Sequence, residues 1–240
     1  MDMEKAEILS GFERLGRCDT PSVTNAVATY PGDPNCLSLY DAWGDTWYTD
    51  QSIRCMYPRL APRVGVAVTA VYGLPGVGGE DIPFAELLRT VAAVQLPVVV
   101  AIHQAVPEEI RRKFGLLGGN MVTALRACGA VGVVCDGPSR DWDEIEPLKF
   151  QMLLTGLTPG HGEFALKAIN AEITAGGMHI VPGEIIHMDC NGAVKFPMDD
   201  LPKVCDNVEK ILTAEAKRQA IMRSAPDAET VINALAGLYD

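Results

Sequence analysis

Residues 116–141 read LLGGNMVTALRACGAVGVVCDGPSRD, and the reading of the whole 240-residue chain turns on this stretch. Gly118-Gly119 reads as a flexible turn. From Asn120 onward Met121, Val122, Leu125 and Cys128 recur three and four apart, the spacing of one helix face, which predicts a helix over 120–128. Gly129 stops it, as a glycine just past the last turn commonly does. Residues 130–135 form a short apolar run bounded by a glycine and a turn, and so predict a buried strand. That strand empties into Asp136-Gly137-Pro138-Ser139, with Arg140-Asp141 directly after.

Such a sequence of elements has a chemical consequence. A glycine turn feeding a helix offers unpaired backbone N–H groups and the positive end of the helix dipole, which suits a carboxylate or phosphate. In open α/β sheets, ligands gather outside the carboxyl ends of the strands, so a loop there brings a guanidinium and a carboxylate near that anion site. A carboxylate for a hard cation and an arginine to polarise a substrate oxygen would complete a site for carbonyl chemistry. A plainer reading stands beside this one. Asp136-Gly137 is also an ordinary turn, Arg140 pairs equally well with a surface carboxylate, and Asp141 or Asp143 would serve to cap a helix starting near Glu144.

At these residues the chain resembles the RraA-like family, which includes divalent-metal 4-hydroxy-4-methyl-2-oxoglutarate aldolases. Members show a glycine, an acidic residue and Leu or Met opening a helix, then a strand and a loop of the form D-G-x-x-R-D. Here Gly119-Asn120-Met121 and Asp136-Gly137-Pro138-Ser139-Arg140-Asp141 occupy those places. The resemblance implies that Asp141 helps to hold Mg²⁺ or Mn²⁺, partly through water. It implies that Arg140 contacts the keto oxygen and carboxylate of a pyruvyl group, whose carboxylate rests on the amides around Gly118, Gly119, Asn120 and Met121. Asn120 departs from the pattern, because family enzymes usually carry Asp or Glu there. The run PGEIIHMDCNGAVKFP resembles the family's P-G-D/E, aspartate, D/N-G-x-V ending and is a second match. The resemblance covers roughly 64–212 and implies an α/β architecture with the β/β/α swivelling-domain fold.

Length bounds the architecture to one sizeable core, with 1–62 as N-terminal helices and an irregular excursion, 63–213 as the core and 214–240 as a helical tail. A hydrophobic content of 48% and charged content of 21% belong to a globular protein. The net charge of −11 argues against a nucleic-acid face, which needs concentrated Lys and Arg. The N-terminus lacks a signal-peptide apolar core, and no stretch of about 18 apolar residues predicts a membrane span. Seven scattered cysteines form no C-x-x-C pair, so neither a zinc site nor a disulfide scaffold is expected, and a reducing cytoplasm is the natural compartment. Cys128 and Cys135 read as small core hydrophobes.

Elsewhere the sequence predicts helices over 8–15, 84–94, 202–222 and 227–238, and one starting at Thr20 as cap with Pro21 in first position. Strands are expected over 64–71, 98–102 and 193–196. Residues 178–181 and 184–188 alternate around Pro182-Gly183 and read as a hairpin or bent strand pair. The loop at 73–81 is glycine-rich but lacks the G-K-[ST] of a phosphate loop. Residues 31–62 have no sustained period. Their Trp43, Trp47 and Tyr48 either cover a site or neighbouring subunit, or anchor the excursion to its own core. His103 and Gln104 end a strand, where His103 is a candidate proton carrier. His161 and Glu163 are too few for a metal site. Glu209 and Glu215, candidates for a residue lent to a neighbouring subunit, sit where solvated helix residues belong.

The resemblance then implies a trimer, or a hexamer of paired trimers. It implies a metal-dependent lyase acting on an α-keto acid with a second carboxylate, by retro-aldol cleavage or oxaloacetate decarboxylation through the pyruvate enolate. Its partner would be that small molecule, with neither nucleic acid nor membrane involved. Two alternatives remain: a regulator of the kind that binds and inhibits a ribonuclease, and a sugar-acid dehydratase using the same site. Family regulators lack the metal-binding aspartate, whereas this chain retains both Arg140 and Asp141.

Overall fold

The sheet is assembled around β2 (Arg63–Gly73), a run of small and β-branched residues that is buried along nearly its whole length. The structure, a computed structural model, describes residues 4–30, 34–44 and 46–238. One edge of β2 pairs in parallel with β3 (Val98–Gln104), which continues in parallel to β4 (Ala130–Cys135) and β5 (Gln151–Leu154). The other edge is divided. Residues Arg63 to Val66 pair antiparallel with β9 (Ile185–Asp189), and residues Ala70 to Gly73 pair antiparallel with β6 (Ala165–Ile169). β10 (Gly192–Phe196) extends β9, and β1 (Arg54–Cys55) closes the opposite edge on β5.

Alternation along the parallel strands separates the layers, because successive side chains leave opposite faces. Val98, Val100 and Ile102 of β3 pack in a core with Leu87 and Val91 of α3 (Phe84–Val94) and Val122 and Leu125 of α5 (Gly119–Ala127). Val99 and Ala101, pointing the other way, pack with Ile173, Ala175, Met178 and Ile180 of a small two-stranded sheet, β7 (Ile173–Ala175) and β8 (Met178–Ile180). Helix layer, main sheet and small sheet make the β/β/α order that the family resemblance implies. A third core lies where α1 (Lys5–Leu15), α2 (Thr20–Val27) and α7 (Leu201–Arg223) cover Val64, Val66, Ile185, Val194 and Phe196. α8 (Ala228–Leu235) follows α7.

Several local expectations need correction. Residues 178–188 are no hairpin: β8 pairs with β7, and the turn at Pro182-Gly183 hands the chain over to β9 in the main sheet. The cap of α2 is Asp19, whose carboxylate accepts the Ser22 N–H at 3.0 Å, while Thr20 is already inside the helix. Thr20 serves elsewhere, with its hydroxyl 3.0 Å from His187 Nδ1. Of the excursion, 31–33 and Asp45 lie outside the described residues. Trp47 anchors the rest: it is buried, stacked on Tyr40 and met edge-on by Tyr48. Trp43, by contrast, is 96% exposed, so it covers nothing within this chain. Cys135 is a core residue and Cys128 half-buried. Among the described residues, no helix is long and apolar enough to cross a membrane.

Candidate functional site

The loop 136–141 is held on both sides by backbone. Ser139, almost fully buried, donates its hydroxyl to the Leu117 carbonyl at 2.7 Å. The Arg140 N–H reaches the same carbonyl, and the Ser139 N–H reaches Gly156. The loop is therefore clamped between 115–118 and 156–158, and the side chains after it project from a fixed base.

Asp141 follows with φ +61°, in the left-handed region that costs most residues about 1 kcal/mol or more and that Asp and Asn tolerate best. This conformation starts α6 (Trp142–Ile145), but the Asp141 side chain makes no capping bond to it. It turns back to the preceding helix instead, where its Oδ2 accepts the Gly119 N–H at 2.9 Å. Asp141 is thus a capping residue, though of α5 rather than the helix it begins. Its Oδ2 lies 3.5 Å from Arg140 Nε, and both side chains are about one-third exposed, 31% and 34%. Tyr57 of the excursion braces this corner from behind. Its hydroxyl donates to the Trp142 carbonyl at 2.9 Å and its ring lies against the indole.

The paired glycines have a reason other than flexibility. A Cβ on Gly118 would lie 2.7 Å from Asp141 Oδ2, and one on Gly119 would lie 2.2 Å from Oε2 of Glu144. Two carboxylates therefore rest on the opening of α5, and a side chain at either glycine would have to displace them. This modifies the expected anion site. The Gly119 amide is already taken, whereas the amides of Asn120 and Met121 have no hydrogen-bond partner among the described residues. Asn120 itself is exposed at the mouth.

Arg140, Asp141, Glu144, Gly118, Gly119, Asn120 and Met121 line one cleft of about 510 Å³, within the range of small-molecule sites. Tyr72, Phe84, Phe164 and His161 line the same cleft. Tyr72 lies just past the strand expected over 64–71, and among the described residues its buried hydroxyl has no hydrogen-bond partner. A buried unpaired hydroxyl costs roughly 1–3 kcal/mol, so this one is poised to meet a ligand or water. Burial, and then the neighbouring Cys135, push its pKa well up, which keeps the phenol a neutral donor. Glu144 was legible only as a residue near a helix start. Its place on Gly119 is a tertiary contact that spacing does not reveal.

Other candidates fall elsewhere. His103 lines a different cleft, on the far side of the 136–141 loop. Glu163 lines neither of these two clefts, whereas His161 belongs to the first. Glu209 is held by Arg14 at 2.7 Å, which lowers its pKa. Among the described residues no group of three His, Cys, Asp or Glu side chains is arranged to hold a metal. Asp141 and Glu144 fit a hard cation that keeps several waters, as Mg²⁺ does, and not a closed zinc site.

Comparison with known proteins bears on the fold and the family. An uncharacterised protein of Methanocaldococcus jannaschii is 32% identical over 149 residues, which cover 61% of this chain and 70% of the relative. A crystal structure of an uncharacterised Pseudomonas syringae protein superposes with a TM-score of 0.68 at 20% identity, covering 93% of this chain and 96% of the other. RraAS2 of Streptomyces coelicolor, described as an unusual member of the RNase ES inhibitor RraA protein family, superposes with a TM-score of 0.65 at 19% identity, covering 91% and 98%. At those identities the superpositions speak for the fold alone. The Aldolase/RraA family model matches residues 37–195, beginning inside the excursion and spanning both the glycine turn and the loop, and by that match the chain belongs to the RraA-like family.

Proposed function

We propose that the chain is a divalent-metal-dependent carbon–carbon lyase acting on an α-keto dicarboxylic acid through a pyruvate enolate. The observation that carries this is the convergence of Arg140, Asp141 and Glu144 on the open N-terminus of α5. Arg140 presents a planar fork to the substrate's carboxylate and keto oxygen. The free amides of Asn120 and Met121 take the rest of the carboxylate. Asp141 and Glu144 are the residues that would hold Mg²⁺ or Mn²⁺. When bound, the ion would supply a second positive charge for the keto oxygen.

The chain's own groups then divide two reactions. In oxaloacetate decarboxylation the bond to the distal carboxylate breaks, CO₂ leaves, and the enolate takes up a proton at carbon. That step asks for stabilisation of the enolate oxygen, which Arg140 provides. Retro-aldol cleavage asks in addition for a base to remove the alcohol proton. Asn120 cannot act as that base, because an amide does not exchange a proton at neutral pH. His103 is in another cleft. With Asp141 and Glu144 given to the metal, His161 is the group lining this cleft that is left for the task. The Tyr72 hydroxyl would donate to a developing oxygen charge.

The deciding experiment is pyruvate release from oxaloacetate by purified protein, with and without Mg²⁺. Turnover abolished by EDTA and restored by the metal supports the lyase. No turnover with any divalent metal favours a regulator that binds a partner protein, the reading that Asn120 in place of an acidic residue supports. A trimer or hexamer belongs to the same proposal, and the molar mass in solution tests it.

A further inference from the structure

The cleft on the other side of the 136–141 loop takes no part in the chemistry above. It measures about 750 Å³ and is lined by Arg54, His103, Arg111, Arg112 and Asp136 together with several small and hydroxyl residues. His103 and Asp136 stand at the carboxyl ends of the neighbouring parallel strands β3 and β4, where α/β sheets place ligands.

Asp136 holds the histidine in one orientation. Its Oδ2 lies 2.6 Å from His103 Nδ1 and accepts from Arg111 at 3.2 Å, and its Oδ1 accepts the Gln104 N–H at 2.8 Å. The imidazole therefore turns Nε2 outward, and that nitrogen has no partner among the described residues. Arg54 is exposed, and its guanidinium makes no hydrogen bond or ion pair among the described residues. It lies beside Gly156, where a Cβ would come within 3.0 Å of Nη2. The two lining carboxylates are already engaged, Glu108 with Arg112 and Asp136 with Arg111 and His103. Three guanidiniums thus gather in a chain of 31 acidic and 20 basic residues, and one of them is unmatched.

We propose that this cleft is a second ligand site, which binds the carboxylate or phosphate group of a small metabolite between the Arg54 guanidinium and His103 Nε2. The arginine fork supplies paired donors in the geometry that such oxyanions match. The aspartate accepts from Nδ1–H and so fixes the ring, as carboxylates do for functional histidines, and in the imidazolium form Nε2–H donates to the oxyanion. The volume admits an organic acid or a phosphate ester rather than the bare anion alone.

The test is a titration of ¹⁵N-labelled full-length protein, reading the imidazole signals by NMR at constant ionic strength, with inorganic phosphate in one arm and succinate in the other. His103→Gln assigns the signal. A saturable shift of the His103 resonance is expected with one or both probes, and the more effective probe identifies the group. Arg54→Gln should weaken that binding about tenfold or more, the worth of one charged hydrogen bond. Arg140→Lys should leave it unchanged, because Arg140 belongs to the other cleft. A His103 signal that neither probe moves saturably, or a shift that Arg54→Gln does not weaken, overturns the proposal. A midpoint raised as much by Arg140→Lys as by Arg54→Gln also overturns it.

Discussion

Asp141 carries two separable jobs, and two substitutions at this one position divide them. Replacing it with alanine removes the acceptor of the Gly119 N–H and leaves a left-handed backbone that alanine tolerates poorly. The charged hydrogen bond contributes roughly 1.5–3 kcal/mol, taken at its low end for a side chain that is 31% exposed. The conformation adds about 1 kcal/mol. Asp141→Ala should therefore lose about 2–3 kcal/mol, a fall in Tm of roughly 5–10 °C for a domain of this size. Asn keeps both the tolerance for that backbone and an oxygen to accept the amide, so Asp141→Asn should stay within about 1 kcal/mol of the native protein. Urea or thermal unfolding of the three proteins measures the first job, and Mg²⁺-dependent pyruvate release measures the second. The expected pattern is a stable but inactive Asn variant beside an unstable and inactive Ala variant. Equal stability of the two would refute the capping and backbone argument. Full activity of the Asn variant at low Mg²⁺ would remove Asp141 from the metal.

Arg140→Lys keeps the charge and loses the planar fork, and should cost about two orders of magnitude in kcat/KM for the keto acid; near-native kinetics would deny a direct contact. Asn120→Asp should raise aldol cleavage relative to oxaloacetate decarboxylation, measured as the ratio of the two rates, and an unchanged ratio would place Asn120 outside the proton-transfer position. Tyr72→Phe deletes a buried hydroxyl that has no partner among the described residues, so unfolding should show unchanged stability or a gain of about 1 kcal/mol. The same variant should turn over keto acid roughly tenfold more slowly if the phenol meets the ligand. His187 supplies a pH test. Burial lowers its pKa below the ordinary 6.5, and its two ring nitrogens are engaged with Thr20 and the Leu15 carbonyl. As the pH falls through about 6.5 the unfolded chain binds a proton that the folded chain refuses, so this stability is complete above that pH and lost below it. In His187→Gln, unfolding free energies across that range should lose this part of their slope.

The helix of 120–128 and the strand of 130–135 were legible because periodicity and glycine punctuation agree there, and the observed elements differ by one residue at most. α3 was legible from periodicity alone, its buried Leu87 and Val91 being the centre of the expected stripe. Arg140 and Asp141 were legible as a pair through the loop motif and do line one cleft with the glycine turn. What escaped is non-local. Pro182-Gly183 carries a hairpin's turn signal, but β9 finds more partner length on β2 and β10 than β8 could offer it. Glu144 and Tyr72 approach the site from positions 25 and 47 residues from Gly119, and neither has a local pattern to mark it. A tyrosine hydroxyl in an otherwise apolar buried strand was the one available hint, since buried phenols usually find a partner.

The third core bears on what is inherited together in this family. Residues 37–195 carry the family's signature, yet most of the buried residues packed over Val64, Val66, Ile185, Val194 and Phe196 come from α1, α2 and α7, outside that window. Arg14 ties the first helix to Asp206 and Glu209 of the seventh. Cut to the signature alone, the chain would present one face of its main sheet as bare Val and Ile, a surface prone to association. The unit recognisable by descent is thus smaller than the unit that folds. Relatives with different termini must cover the same apolar face by other means, with helices of their own or with another subunit.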